Sequence, residues 1–270
     1  MQHKTASLPI LLKQLNLPCM QAHWEETASQ AESAHWGYPE YLSSLANREL
    51  SHRQQKRIAR QIREACLPVG KTLDTFDFKA GQSVNAAQIT AVANNNDWVK
   101  QGGNIVLFGP AGVGKTHLAS AIGYRLLEKG TRVFFMPTTA MVQKLQQARR
   151  DYKLPDYLAR LSRFDVLILD DIGYVKKDEA ETSVLFELIA QRYENRSLMI
   201  TSNQPFGEWG KIFPDQAMTL AAIDRLVHHS TILEMNVESY RRREALDRKR
   251  GRGRPAAHAT IKKTEKAEAD

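Results

Sequence analysis

The sequence predicts an α/β fold: a three-layer core with a parallel sheet around a phosphate loop, preceded by a small all-helical domain and followed by a disordered basic tail. Three observations carry that prediction. The apolar run Ile105–Phe108 enters the glycine-rich stretch Gly109–Thr116, which leads into a helical pattern. Between about residues 69 and 238, apolar runs of strand length alternate with helical periodicity, the mark of parallel strands joined by crossover helices. Beyond about residue 246, Lys, Arg, Ala and Gly replace large apolar residues, so that segment cannot bury enough surface to fold alone. The expected units are 1–68, 69–246 and 247–270.

In the first unit, Leu8, Leu11, Leu12, Leu15 and Leu17 open a short apolar helix, and Pro39, Tyr41, Leu42 and Leu45 begin another. From about Asn47 to Cys66 the pattern is amphipathic. Ile58, Ile62 and Cys66 fall on one side, while Arg53, Lys56, Arg57, Arg60 and Arg63 recur at three- and four-residue steps on another. With Arg48 these make six cations, against only Glu49 and Glu64, so phosphate contact is expected here rather than a merely solvated face. Pro68-Val69-Gly70 reads as a linker.

In the second unit, Leu118, Ile122 and Leu126 share one face of the helix after the loop, and Gly130 stops it. A strand follows at Val133–Met136, then helices near Thr138–Arg150 and after Pro155. The aliphatic strand Val166–Leu169 ends in Asp170-Asp171. A helix at about Glu179–Tyr193, a strand at Leu198–Thr201, a helix near Thr219–Val227 and a strand at Thr231–Met235 complete the alternation.

The chemistry lies in the connections. Gly109, Pro110, Ala111, Gly112, Val113, Gly114, Lys115 and Thr116 fit the pattern G-x-x-x-x-G-K-[ST] in its strand–loop–helix context. Glycines let backbone N–H groups close around phosphate oxygens where a Cβ would intrude, and a helix N-terminus adds partial positive charge. Lys115 is placed for the terminal phosphates and Thr116 is the expected Mg²⁺ ligand. A nucleoside triphosphate is the implied ligand. Carboxylates at the carboxyl edge of a parallel sheet face the crevice that holds such a ligand. Asp170 is expected in the Mg²⁺ shell and Asp171 is the candidate to orient or deprotonate water, with a turn-capping role as the plain alternative. The amide of Asn203, closing the next strand, is a candidate γ-phosphate sensor. Arg225 is a candidate finger reaching a phosphoryl group on a neighbouring subunit, against an ion pair with Asp224 or a packing role. Arg241, Arg242 and Arg243 fit either a second sensor or a DNA-binding surface.

Composition bounds the rest. Net charge is +8, and from Arg241 to Asp270 there are 11 Lys/Arg against 5 Asp/Glu, so most of the imbalance sits in the tail and a polyanion is the expected partner. Arg252-Gly253-Arg254-Pro255 matches the core of minor-groove hook peptides, although four residues in a biased tail also fit a generic polyelectrolyte. Cys19 and Cys66 are expected to be inert buried thiols, in keeping with a reducing cytoplasm, and His228-His229 to be structural. No stretch approaches the ~20 apolar residues that span a bilayer, and the N-terminus lacks a basic-then-apolar signal, so a cytoplasmic location without membrane contact is expected.

The set Gly109–Thr116, Ile168–Asp171, Thr201–Asn203 and Asp224-Arg225 resembles the AAA+ ATPases of the DnaA/DnaC initiator clade. Closer still, the chain resembles the IstB-like ATP-binding proteins of bacterial insertion sequences. Asp74–Phe78, Leu169–Tyr174, Thr201–Phe206 with Trp209, and Ala222–Leu226 carry that likeness, over roughly residues 5–246. The resemblance implies an ATPase requiring ATP and Mg²⁺ that assembles on double-stranded DNA as a homo-oligomer with ATP-bridged interfaces. It further implies deformation of that DNA, largely independent of sequence, and its delivery to a transposase. A DnaC-like helicase loader, with a protein-binding apolar N-terminal face, is the alternative. A metabolic P-loop kinase would need neither the Thr201–Asn203 and Asp224-Arg225 elements nor two basic extensions.

Overall fold

The computed structural model of the chain describes residues 7–78, 85–173, 179–211 and 215–235. Three helices open it: α1 (Leu8–Gln14), α2 (Pro18–Ser33) and α3 (Tyr38–Ala65). The sequence pattern does not reveal α2, whose average hydrophobicity is low along its whole length. Pro18 starts it, where the missing N–H costs nothing, and its next two amides are capped from a distance. Cys19 N and Met20 N donate to Glu49 Oε2 of α3 at 2.8 and 3.1 Å, which is why a carboxylate only 3% exposed is tolerated there.

Helix α3 joins the Pro39–Leu45 stretch and the arginine-bearing segment into one run of 28 residues. Its buried side changes along its length. Leu45 and Glu49 are buried in the first half, and Gln61 and Ala65 in the second. Ile62 and Cys66 are exposed, so the expected apolar side is not the one that packs. The reason is the docking of the helix end: Leu67 sits so near the segment after the phosphate loop that a Cβ on Gly123 would lie 3.1 Å from Leu67 Cδ2.

Two short helices follow, α4 (Ala86–Asn94) and α5 (Asp97–Lys100), neither evident in the sequence pattern. The sheet contains β1 (Asn104–Phe108), β2 (Val133–Pro137), β3 (Val166–Asp170), β4 (Ser197–Ser202) and β5 (Ser230–Glu234). The strand order is β2-β3-β4-β1-β5, all neighbours parallel. Crossovers run through α6 (Lys115–Glu128), α7 (Thr138–Arg150), α8 (Leu154–Leu161), α9 (Glu179–Arg192), a 3-10 turn (Phe206–Lys211) and α10 (Gln216–Val227).

Alternation along each strand divides the core into two layers. Val106, Phe108, Leu167, Leu169, Leu198 and Ile200 face α7, α8, α9 and α10. Ile105, Leu107, Val166, Ile168 and Met199 face α6, α4 and the end of α3 through Ala65 and Leu67. Each fully buried aliphatic side chain contributes about 1.5–3 kcal/mol, so the central strands anchor the loops at their carboxyl ends.

One polar group is built into this core. Arg192, 1% exposed, donates to the carbonyls of Leu161, Phe164, Asp165 and Ser197 at 3.2, 3.1, 3.1 and 2.8 Å, tying together the entrances of β3 and β4. Burial, with Arg196 nearby, pushes its guanidinium down to about 9 against the opposing pull of Asp165, so it stays charged at neutral pH.

The expectation of buried thiols needs correction. Cys66 is exposed and Cys19 partly so; both are free thiols. The first caps the last turn of α3 with left-handed backbone, and the second lies in the first turn of α2, positions that cannot be sealed in a core. His228 and His229 stand exposed at the α10–β5 junction, where the chain turns at the surface. Among the described residues no helix is long and apolar enough to cross a membrane. Arg241–Arg243, Arg252 and Arg254 lie outside the described residues.

Candidate active site: a phosphate loop facing a held carboxylate

Register brings the strand ends level. Phe108 pairs with Ser202 and Glu234, and Leu169 pairs with Ile200, so the loops after β1, β3 and β4 emerge at one edge. Gly109–Gly114 leaves β1 there and enters α6 at Lys115. Gly109 and Gly114 have φ of 151° and 99°, which L side chains rarely adopt. Space is also lacking, because a Cβ on Gly109 would collide with Met235 O and one on Gly114 would lie 2.9 Å from Phe76 Cε2. Phe76 belongs to the Asp74–Phe78 segment and packs edge-on to Phe78 and His117, covering the flank of the loop.

Lys115 is buried at the head of α6. Its Nζ donates to Gly109 O at 2.7 Å and to Pro110 O at 2.8 Å, so the ammonium is held inside the loop. The Thr116 hydroxyl donates to the Asp170 carboxylate, 2.9 Å from Oδ1 and 3.0 Å from Oδ2. Thr201 Oγ1 donates to Asp170 Oδ1 at 2.7 Å and accepts Asp171 N–H at 2.8 Å. Thr138 Oγ1 donates to Asp170 O at 3.0 Å. Three threonines from α6, α7 and β4 thus fix both ends of Asp170. Asp171 has left-handed backbone, φ 59°, held by the Thr201 bond and by Ile172 N–H donating to Thr201 O at 3.0 Å.

Asn203 is exposed just past β4, and a Cβ on Gly173 would lie 2.8 Å from its Oδ1, so the amide stands beside the loop that follows Asp171. Its neighbour Gln204 is pinned: Trp209 Nε1 donates to Gln204 O at 3.2 Å, and Trp209 is fully buried against Phe108.

Arg225 lies elsewhere. Its Nη1 donates to Ala221 O at 3.0 Å and its guanidinium covers the Phe186 ring at 5.1 Å; among the described residues it forms no ion pair with Asp224. The next residue, Leu226, accepts from Asn104 Nδ2 at the first position of β1, whereas the phosphate loop begins after the last. The two ends of that strand are roughly 13 Å apart. Arg225 therefore sits at the edge of the sheet opposite to Lys115, Asp170 and Asn203.

The arginine-bearing part of α3 forms a separate surface. Arg53, Lys56, Arg57, Arg60 and Arg63 are all exposed. Arg53 already donates to Glu49 Oε1 at 3.0 Å and to Asn16 O at 2.6 Å, and Arg60 lies 3.9 Å from Glu64. Arg48 is matched by Glu26 of α2 at 3.5 Å, an acid outside the helix. Lys56 and Arg63 form no ion pair among the described residues.

Sequence reasoning missed Thr201 as a donor to the Asp170 carboxylate and Thr138 as a donor to the Asp170 backbone carbonyl. The available signal was a threonine at the end of each of two apolar strand runs, where an aliphatic residue would otherwise pack.

These features match known proteins. The family model described as IstB-like ATP binding protein matches residues 10–248. The chain belongs to that family. An insertion sequence ATP-binding protein of Sinorhizobium fredii is 58% identical, covering 95% of this chain and 86% of its own length. The IS21 ATP-binding protein of Pseudomonas aeruginosa is 38% identical, covering 88% of this chain and 89% of its own. In fold the chain resembles AMPPCP-bound DnaA of Aquifex aeolicus, with a TM-score of 0.53 and 18% identity, over 69% of this chain but only 56% of that one. It also resembles DnaI, with a TM-score of 0.50 and 20% identity, over 61% of this chain and 90% of that one. This family member is an AAA+ ATPase: the parallel sheet, the phosphate loop and the carboxylate stand in the order that the fold requires.

The cradle fits the ATP for which the family is named. Cβ-intolerant glycines line it, an ammonium is held in it, and a hydroxyl and a carboxylate meet there, a hard-oxygen set suited to Mg²⁺.

Proposed function

We propose that this ATPase serves DNA transposition: ATP joins copies of the chain on double-stranded DNA, and the assembly remodels that DNA and presents it to a partner transposase. The observation that carries the assembly step is the position of Arg225. A cation at the opposite sheet edge is out of reach of its own phosphate loop but available to that of a neighbour. The names of the relatives, ATP-binding proteins of insertion sequences, support the context.

In this reading Lys115 binds the β- and γ-phosphates as it leaves the Gly109 and Pro110 carbonyls. Thr116 and Asp170 hold Mg²⁺, which when bound neutralises phosphate charge. Asp171 accepts a proton as water attacks the γ-phosphorus and the bond to the ADP oxygen breaks, yielding ADP and phosphate. Asn203 orients the water and reads the γ-phosphate. Arg225 of one copy stabilises the charge that develops in the next. Release of phosphate removes those contacts and loosens the assembly.

DNA is held by α3. Arg53, Lys56, Arg57, Arg60 and Arg63, joined by Arg252 and Arg254 of the tail, contact backbone phosphates, which accounts for sequence independence. A protein partner on the same domain is supported by its exposed Leu11, Leu15, Tyr38 and Leu42, which are 50, 66, 92 and 61% exposed. The same residues also suit a replicative helicase, so they favour the helicase-loader reading as a second possibility. Duplex affinity with ATP, with ADP and without nucleotide tests the proposal. Lys115→Ala should abolish the ATP-dependent gain; equal affinity in all three states for the unsubstituted protein would overturn it.

A further inference from the structure

Away from the nucleotide edge, α2 and α3 flank an open groove of about 560 Å³ lined by Cys19, His23, Arg48 and His52 among others. Cys19 Sγ, a ring nitrogen of His52 and a carboxylate oxygen of Glu49 all lie within 4.8 Å of one another. His52 Nδ1 is buried and has no hydrogen-bond partner. An imidazole nitrogen left in that state costs free energy unless something occupies it. His23 sits one turn from Cys19, its Nδ1 2.9 Å from Cys19 O and 3.7 Å from Cys19 Sγ.

We propose that Cys19, His52 and Glu49 form a Zn²⁺-class cation site between α2 and α3, with solvent taking the fourth position of the tetrahedron. The ligand chemistry selects the ion: thiolate and imidazole favour Zn²⁺, whereas Mg²⁺ and Ca²⁺ require oxygen. A thiolate and the Glu49 carboxylate together neutralise a dication, which matters beside Arg48 and Arg53. Glu49 is already oriented by the Cys19 and Met20 amides and by Arg53, so it reaches the ion as a held ligand. Binding releases the thiol proton to solvent and joins the start of α2 to the middle of α3.

The test uses the full chain, reduced and free of nucleotide, titrated with Co²⁺ and then Zn²⁺. One equivalent of Co²⁺ should give tetrahedral visible bands and a thiolate-to-cobalt charge-transfer band, both bleached by Zn²⁺. Cys19→Ser should remove the charge-transfer band, and His52→Gln should weaken Zn²⁺ binding about 10-fold or more. The double variant His228→Ala/His229→Ala, which breaks the exposed Glu194–His228–His229 cluster, should leave the band intact. Circular dichroism and ATP binding confirm that each variant is folded. Absence of a charge-transfer band in the unsubstituted protein, its persistence in Cys19→Ser, or its loss only in the His228/His229 variant would overturn the proposal.

Discussion

The carboxyl edge of the sheet and the outer face of α3 handle the same anionic group by opposite means. At the sheet edge the central charged groups are held: Lys115 on two carbonyls, and Asp170 on three threonine hydroxyls. On α3 the cations stand in solvent on long side chains, and Lys56 and Arg63 form no ion pair among the described residues. The difference follows from the task. Bond-making needs charge fixed in advance in a water-poor site, whereas a polyanion can be held by counterion release from charges that need only be near it. Single substitutions should therefore act steeply at the edge and gradually on the helix.

The steepest effect should come from Arg225→Ala, because a finger contributes on the order of 10³-fold or more to hydrolysis. Steady-state phosphate release should fall by that factor while nucleotide binding to a single chain persists. Mixing this variant with Lys115→Ala should restore part of the rate, since each supplies what the other lacks. If no ratio recovers activity, Arg225 belongs with the packing residues under Phe186 and not with the site.

Next is Arg192→Met, which keeps volume but removes donors from four buried carbonyls. Urea unfolding should show a loss of about 3 kcal/mol. A loss under about 1 kcal/mol would mean that the strand entrances are held by their backbone ladders alone. Thr201→Val should then slow hydrolysis about 10- to 100-fold, the cost of one oriented bond to a charged group, with nucleotide affinity little changed. An equal loss of affinity would make Thr201 a binding group and remove its assigned role in holding Asp170 and Asp171.

The same contrast explains how much could be read beforehand. The central strands are legible because burial on both faces demands unbroken aliphatic runs, and Ile105–Phe108 and Val166–Leu169 supply them. The phosphate loop is legible because only glycine tolerates the backbone at Gly109 and Gly114. Helix α2 was not, since distant polar groups of α3, Glu49 at its first amides and Tyr41 at Trp24 O, fasten it in place of an apolar stripe. The packed side of α3 was misjudged because its docking partner, Gly123 on α6, lies far along the chain. Thr138 and Thr201 escaped for a related reason: hydroxyls 32 and 31 residues from Asp170 in sequence converge on it only once the strand order is known.

Lys56→Ala and Arg63→Ala test the other half of the comparison. Each should lower the slope of log affinity for duplex against log salt by roughly 0.9, uniformly across sequences. Basal hydrolysis without DNA should not change. A substitution that weakens one sequence more than another would mean base readout, and the helix face would no longer be a simple polyelectrolyte.

The smallest effect separates the two regions by pH. Burial works to raise the Glu49 carboxyl, but the Met20 amide, the Arg53 guanidinium and the Cys19 amide together hold it below its ordinary value of 4.5. A depressed carboxylate stabilises the fold fully above its unfolded pKa, and that contribution is lost as pH falls through the folded one. Acidification below 4.5 should thus free the start of α2 by removing its cap. Hydrogen exchange at the Cys19 and Met20 amides, corrected for intrinsic rate, should lose protection there before the β1 and β3 amides do. In Glu49→Gln that protection should already be reduced at neutral pH and should no longer vary across the window. If strand and helix amides lose protection together, the helical domain has no acid-sensitive fastening of its own, and the sheet alone determines when it opens.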